Sequence, residues 1–595
     1  MMPGYLGDWL RGWRRMSEAQ RRDSWMILAL VVMLGWLYLA GHGRYGLFDV
    51  DEAIFTRATI EMRTSELVAM PTYNGEPRYH KPPLIYWVQS GLMSVLGEDS
   101  LYAARLPSAL AALGSIWLLG WGVWRLTGER RWGIYSAAAL GLSLSFLVVG
   151  RAATADGLLN LLSLALVLWV VRMLYPGRMV RDGKYDHWIT GGLAALGFLA
   201  KGPIAWLPAA VVALMVFAAR WRHWQVVWNM LAPWKTLAVI LLFLVPWVGL
   251  LVAQFGVGFF YEFFVVHNLN RYASGMGNSQ SGSHFYYLLI LLVGFFPWVL
   301  LLPAATWAVV QRWRDDLSGF DARRALPILA LGWAVVYIGF FSMSGTKLAH
   351  YIVPAFPALA VVVGRWLSLQ PRPKLPWWYV GLGGLWLVVM AVVALAINPA
   401  LAALKSEVLV GIWGWLQVFV GFNWPPKDVL AMAVLQLPVQ LDMGLPVIGL
   451  LLLSVGLAAW ALVGAGVRWA EASLALVWAV CLGLMVWGTV PLVWQYTQAP
   501  LARMALMLRE IPAGVPIIHL GLHKPSVLYI SDKRFLKLEK PLQLPEHIYA
   551  PETIVLTELP TVPQIELELA AQARGTVLHK QCEGGFCLLV VGDLQ

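Results

Sequence analysis

Two neighbouring carboxylates, Asp51 and Glu52, follow the first apolar run of the chain. Adjacent acids at such a place can take a proton as a general base, bind a metal, or grip the hydroxyl and amino groups of a sugar. They can equally form the acidic first turn of a helix and complement its dipole. A third acid, Asp156, opens another apolar run after RAATA. A carboxylate at the lip of a membrane helix is costly unless it faces a wet cavity or a partner, although capping its own helix is a competing explanation. Acids on one face of a membrane are what a sugar or acceptor site requires, so Asp51, Glu52 and Asp156 are the candidate catalytic residues.

Cations stand beside them in sequence logic. Lys81 in HKPP, Lys201 in AKGP, Arg271 and Lys347 in SGTKLAHY all fall at ends of apolar runs where lysine and arginine are disfavoured by the positive-inside bias. An anion at the bilayer surface, such as a phosphate or pyrophosphate, would pair with them through charge-assisted hydrogen bonds. The alternatives are that they neutralise the three acids or snorkel to headgroups. His80, His267, His284 and His350 lie on the same side. Two or three of them with Asp51 or Glu52 could bind zinc or another divalent ion; their spacing matches no local metal motif, which leaves structural hydrogen bonding as the competing role.

The elements that must position these groups are membrane helices. Of 595 residues 59% are hydrophobic and 33 are Trp, more apolar surface than a soluble core could hide. The net charge of +11 is no nucleic-acid signal, because Lys and Arg cluster in short loops between apolar runs. The first run follows Arg11, Arg14, Arg15, Arg21 and Arg22 without a small-residue cleavage site, and is expected to stay as a span. About thirteen spans are expected, from Trp25–Ala40 to Ser473–Val493, among them Gly133–Val149, a short Trp188–Leu199, Ile204–Ala219, Tyr286–Val310 and Pro446–Ala465. With the N-terminus inside, alternate loops carry Arg125, Arg130 and Arg131, then Arg172 to Lys184, then Arg220 and Arg222, and so on to Arg468, all basic. The candidate site residues then share the outer side.

The first outer loop, residues 45–100, has helix-like apolar spacing at Ile54, Ala58 and Met62 and at Leu84, Trp87, Val88 and Leu92, which suits interfacial helices. RYASGMGNSQSGSH, from Arg271 to His284, has no apolar period and reads as a mobile loop. GIWGWLQVFVGF suits a segment along the membrane surface. Residues 1–494 thus form a membrane domain and 495–595 a small outer α/β domain. In the latter VPIIHLG, SVLYI, TIVLTE, TVLHK and CLLVV read as strands, with helices at Leu501–Arg509 and Ile565–Ala571. Cys582 and Cys587 flank EGGF, where a glycine hairpin could join them in a disulfide or leave them as two buried small residues.

In order along the chain, FDVDEAIF, YNGEPRYHKPPLIYW, RLPSALAALGS, RAATADGLLN, LAKGPIAW, VVHNLNRY and SGTKLAHYIVPAFPALA resemble the bacterial lipid-carrier-dependent glycosyltransferases. These are relatives of the aminoarabinose transferase that modifies lipid A and, more distantly, of protein O-mannosyltransferases; the likeness runs from about Asp49 to Arg365. The resemblance implies a GT-C fold, a mainly α bundle with an outer loop of interfacial helices, and a periplasmic site in a bacterial inner membrane. It implies a polyprenyl-phosphate sugar as donor and a lipid A, glycan or protein acceptor, with inversion at the sugar. By position Asp51 is similar to the family's first-loop acid, with Glu52 as its companion and Asp156 as the second acidic site. Lys81, Arg271 and Tyr351 resemble residues that hold the carrier phosphate, with Lys201, Lys347 and His350 supporting. His267 is similar to a histidine near a bound metal, with His80 beside it; in the aminoarabinose branch the residue before the HKPP-type lysine is usually Glu, and here it is His80. A flippase of lipid-linked sugars is the alternative from another class. It should show repeated halves and broken helices at the midplane, and no internal repeat is evident.

Overall fold

A computed structural model describes residues 17–65, 69–175, 183–273, 283–311, 321–369, 375–396, parts of 456–463, 470–540, 543–544, 552–572, 576–583 and 585–592. Among them seven helices are long and apolar enough to cross a membrane, or nine if each of two bent pairs is one span. The expected thirteen is a count over the whole chain, and among the described residues several of its runs take other forms. The Gly133–Val149 run is two helices, Arg130–Gly141 and Leu144–Arg151, bent by 66°. At that break the Ser143 hydroxyl donates to the Ala139 carbonyl at 2.6 Å, satisfying a group that the lost helical turn would orphan. The Tyr286–Val310 run bends by 106° before Trp298, where Pro297 has no N–H to continue the ladder. Asp186–Lys201, at 16 residues, and Pro203–Ala219 are shorter than a span. The GIWGWLQVFVGF segment and most of Pro446–Ala465 lie outside the described residues.

Close packing fixes the helix that opens with Asp156. A Cβ on Gly157 would lie 2.8 Å from the Ser108 Cα, so the Asp156–Leu174 helix meets the Leu101–Thr127 helix backbone to backbone. The Ser108 hydroxyl donates across the same contact to the Thr154 carbonyl at 2.8 Å. The corner before Asp156 is thus held on both sides.

The first outer loop consists of a helix, Asp51–Thr64, a two-stranded hairpin of β1 (Thr72–Tyr73) and β2 (Glu76–Pro77), and a second helix, Leu84–Leu96. The hairpin turns on Asn74 and Gly75, both with positive φ (56° and 83°), as the twist of a two-residue loop requires. The first helix buries almost every residue from Glu52 to Met62. Rather than lying as an exposed amphipathic helix, it is roofed by the C-terminal domain, and Glu52 and Arg57 pair with charges on other elements.

That domain holds a five-stranded sheet of β3 (Ile517–Leu520), β4 (Leu536–Leu538), β5 (Glu552–Glu558), β6 (Thr576–Glu583) and β7 (Phe586–Gly592). The order is β4-β3-β5-β7-β6, with β3 parallel to β4 and β5 and the other two pairings antiparallel. SVLYI is not a strand: it lies in a helix, Pro525–Ser531, whose first position is a proline preset for helical φ. Cys582 and Cys587 face each other across the β6–β7 hairpin and form a disulfide.

Candidate active site

Asp156 stands in the first turn of its helix and makes no cap bond to its own backbone. Its carboxylate instead accepts a short hydrogen bond from the Nζ of Lys201, which ends the Asp186–Lys201 helix, and both side chains are 9% exposed. Gly202 follows with φ +79°, a turn that favours glycine, and a Cβ there would meet Phe263 at 3.3 Å. Lys81 and His350 lie within electrostatic reach of Asp156, and His350 is also reached by Lys201, Asp51 and Lys81. The Lys201 Nζ stands 5.5 Å from the centre of the Tyr351 ring, and the His350 and Tyr351 rings meet edge-on at 5.0 Å. Residues from five separate parts of the chain (Asp51, Lys81, Asp156, Lys201, and His350 with Tyr351) therefore share one corner.

Glu52 is also buried, but its oxygens are fully engaged. They accept from Arg105 Nε and Nη2, each at 2.8 Å, from the Phe48 N–H at 2.9 Å and from the Ala153 N–H at 2.8 Å. Burial alone would raise this carboxyl, yet the Arg105 charge and these hydrogen bonds outweigh it and hold the group below its ordinary value. Arg105 in turn donates to the carbonyls of His42, Tyr45 and Gly46 at 2.6, 3.0 and 2.7 Å. Glu52 and Arg105 tie the loop start to the Ala152–Ala155 corner, and Glu52 has no lone pair left for a substrate. Asp51 is exposed at the start of the same helix, and among the described residues none donates a hydrogen bond to it.

The remaining candidates divide. The Lys347 Nζ is tied back to the Ser344 carbonyl at 2.6 Å, and burial lowers its pKa. Arg271 begins a short helix after the Tyr261–Asn270 segment; its side chain, and residues 274–282 of the loop expected to be mobile, lie outside the described residues. His284 is exposed. His80 and His267 lie ring on ring, centroids 3.7 Å apart, with Glu262 3.9 Å from His267 Nε2. A zinc site gathers three or more donors about a point roughly 2 Å from each. Among the described residues no group of three His, Cys, Asp or Glu side chains could hold a metal. The His80 and His267 rings, tilted by 35°, make no such group with Glu262, so the described donors do not fit a metal.

A family model described as dolichyl-phosphate-mannose-protein mannosyltransferase matches residues 80–249. An undecaprenyl phosphate-alpha-4-amino-4-deoxy-L-arabinose arabinosyl transferase of Pseudomonas fluorescens is 32% identical over 355 residues, 58% of this chain and 60% of that protein. Its counterpart in Pseudomonas aeruginosa is 30% identical over 367 residues, 59% of this chain and 61% of that one. The match thus spans about three fifths of these relatives' own length. The crystal structure of ArnT from Cupriavidus metallidurans bound to undecaprenyl phosphate superposes with a TM-score of 0.71 at 21% identity, covering 95% of this chain and 97% of that one. The archaeal oligosaccharyltransferase AglB from Archaeoglobus fulgidus superposes with a TM-score of 0.51 at 11% identity, covering 93% and 71%. The chain has the GT-C fold, and its sequence is similar to those of the aminoarabinose transferases.

Seen as a GT-C protein, the chain has two site features that the acids and cations alone did not reveal. Arg105 is a cation inside an apolar run, the same signal that singled out Lys201, and it went unused because its partner lies 53 positions earlier. Asp49 accepts from the Ser526 N–H at 2.8 Å and the Ser526 hydroxyl at 2.7 Å. No local pattern joins residues 477 positions apart. Burial raises the Asp49 carboxyl in spite of these bonds and of Lys524 nearby.

Proposed function

We propose that this GT-C protein transfers a sugar from a polyprenyl phosphate carrier to an acceptor at the outer face of a bacterial inner membrane, with inversion at the sugar C1. The observation that carries the reading is the corner where Asp51, Lys81, Asp156, Lys201, His350 and Tyr351 meet. Its mixed charge suits a reaction in which a phosphate leaves while an acceptor oxygen is positioned. The acceptor oxygen bonds to C1 as the bond from C1 to the carrier phosphate oxygen breaks, and that oxygen keeps the electron pair. Lys81 and Lys201 stabilise the charge growing on the phosphate, an effect that preorganised cations deliver without reorganisation. Arg271 is assigned to the same phosphate by its place in the chain.

If the acceptor is a hydroxyl, Asp51 takes its proton. A phosphate acceptor, such as one on lipid A, is already ionised near neutral pH, and Asp51 then orients it. The relatives named for aminoarabinose transfer support a 4-amino sugar on undecaprenyl phosphate as donor, and the motif resemblance supports lipid A as acceptor. Purified protein incubated with polyprenyl-phosphate sugars and candidate acceptors is expected to release free carrier phosphate together with a glycosylated acceptor. Movement of intact donor across liposomes, without cleavage, would instead support a flippase.

A further inference from the structure

We propose that the C-terminal domain positions the acid of the site, with Ser526 and Asp532 setting where the Asp51 carboxylate stands. The inference rests on the reading above that Asp51 acts on the acceptor. Asp51 sits between two neighbours that are gripped from opposite sides. Glu52 is held by the membrane bundle through Arg105 and the Ala153 N–H, whereas Asp49 is held by the C-terminal domain through both donors of Ser526. The same domain takes hold of the loop twice more. Arg57, on the helix that Asp51 begins, bonds Glu61 at 2.9 Å and Asp532 at 2.5 Å. Asn74, at the hairpin turn, donates to the Phe535 carbonyl at 2.9 Å and accepts from its N–H at 3.3 Å.

None of these contacts touches a reacting atom, and Asp51 receives no hydrogen bond of its own from the described residues. Its placement is inherited from the bonds to either side. A misplacement of about 1 Å can cost about a hundredfold in rate, so a clamp that merely holds backbone has a kinetic signature. It should appear in kcat more than in donor binding, because Lys201 belongs to the bundle and Lys81, although in the same loop as Asp51, lies beyond the hairpin from the segments that Ser526 and Asp532 hold.

The test uses the full-length protein, a polyprenyl-phosphate sugar and its acceptor. Ser526→Ala removes one of the two donors to Asp49 and is expected to lower kcat about tenfold with the donor KM unchanged; Ser526→Thr, which restores the hydroxyl, should return most of the rate. Asp532→Ala, at a side chain 72% exposed, is expected to lower kcat about threefold and decides the matter if Ser526→Ala does not fold. Unchanged kcat in the folded variants, or a loss borne by the donor KM, overturns the positioning role while leaving sugar transfer standing. A folded wild-type protein that cleaves no donor would sink the transfer reading and this inference with it.

Discussion

Glu52 with Arg105 and Asp156 with Lys201 are both buried carboxylates facing a long cation, and they differ in how their acids are occupied. Glu52 accepts four hydrogen bonds, two of them from backbone N–H groups. Asp156 accepts from Lys201 and has Lys81 and His350 within electrostatic reach. A saturated acid has nothing left to offer a substrate and serves to hold backbone in place. An acid with one hydrogen-bonded partner and other charges at a distance can exchange interactions as a charged ligand arrives. Burial and pairing alone would have ranked the two together.

The contrast predicts opposite failures. Arg105→Ala leaves a buried carboxylate without its counter-charge and three carbonyls without their arginine donor, and is expected to cost about 3–5 kcal/mol; the loss should be visible as missing folded protein in a detergent melt. Lys201→Ala should keep its fold, because Lys81 and His350 still face Asp156, and lose about 10²–10³ in kcat. If instead Lys201→Ala unfolds and Arg105→Ala is a folded, slow enzyme, the assignment of the two pairs is reversed. Asp51→Asn sharpens the same point. It should lower kcat about a hundredfold with a hydroxyl acceptor and far less with a phosphate acceptor, a difference readable by assaying both.

Acid separates Glu52 from its neighbour Asp49. The Glu52 carboxyl is held below its ordinary value, so its stabilisation is complete above the ordinary carboxylate range and is lost as pH falls through the depressed folded value. Asp49 is raised, so the folded protein binds that proton more tightly than the unfolded chain does, and its contribution grows as pH falls through the raised value. Melting followed against pH should therefore lose a gain in mild acid for Asp49→Asn and lose the steep acid drop for Glu52→Gln. The smallest effect belongs to Cys582→Ser. Opening the β6–β7 staple removes a short loop constraint worth about 2 kcal/mol, confined to the C-terminal domain and leaving transfer by the corner unchanged.

Much of this corner was legible in the sequence because membranes make misplaced charge expensive. Asp156, Lys81 and Lys201 stood out as polar groups at the ends of apolar runs, and the structure brings them together with Asp51, His350 and Tyr351. Glu52 was harder to read, since whether it is spent or available depends on Arg105 and Ala153, far away in the chain. Apolar length hid the two bends, because Ser143 and Pro297 break long runs into bent pairs without lowering their hydrophobicity. SVLYI has the composition of a strand, and the proline before it carried the better signal. The clamp of Asp49 by Ser526 leaves no local trace at all.

That clamp also bears on how the protein is made. The serine that grips Asp49 is translated 477 residues after it, so a nascent chain completes its first loop long before the loop's anchor exists. The contacts of Asp49, Arg57 and Asn74 with Ser526, Asp532 and Phe535 can form only once the C-terminal sheet region has been synthesised and folded, so the loop that carries Asp51 is locked in place last.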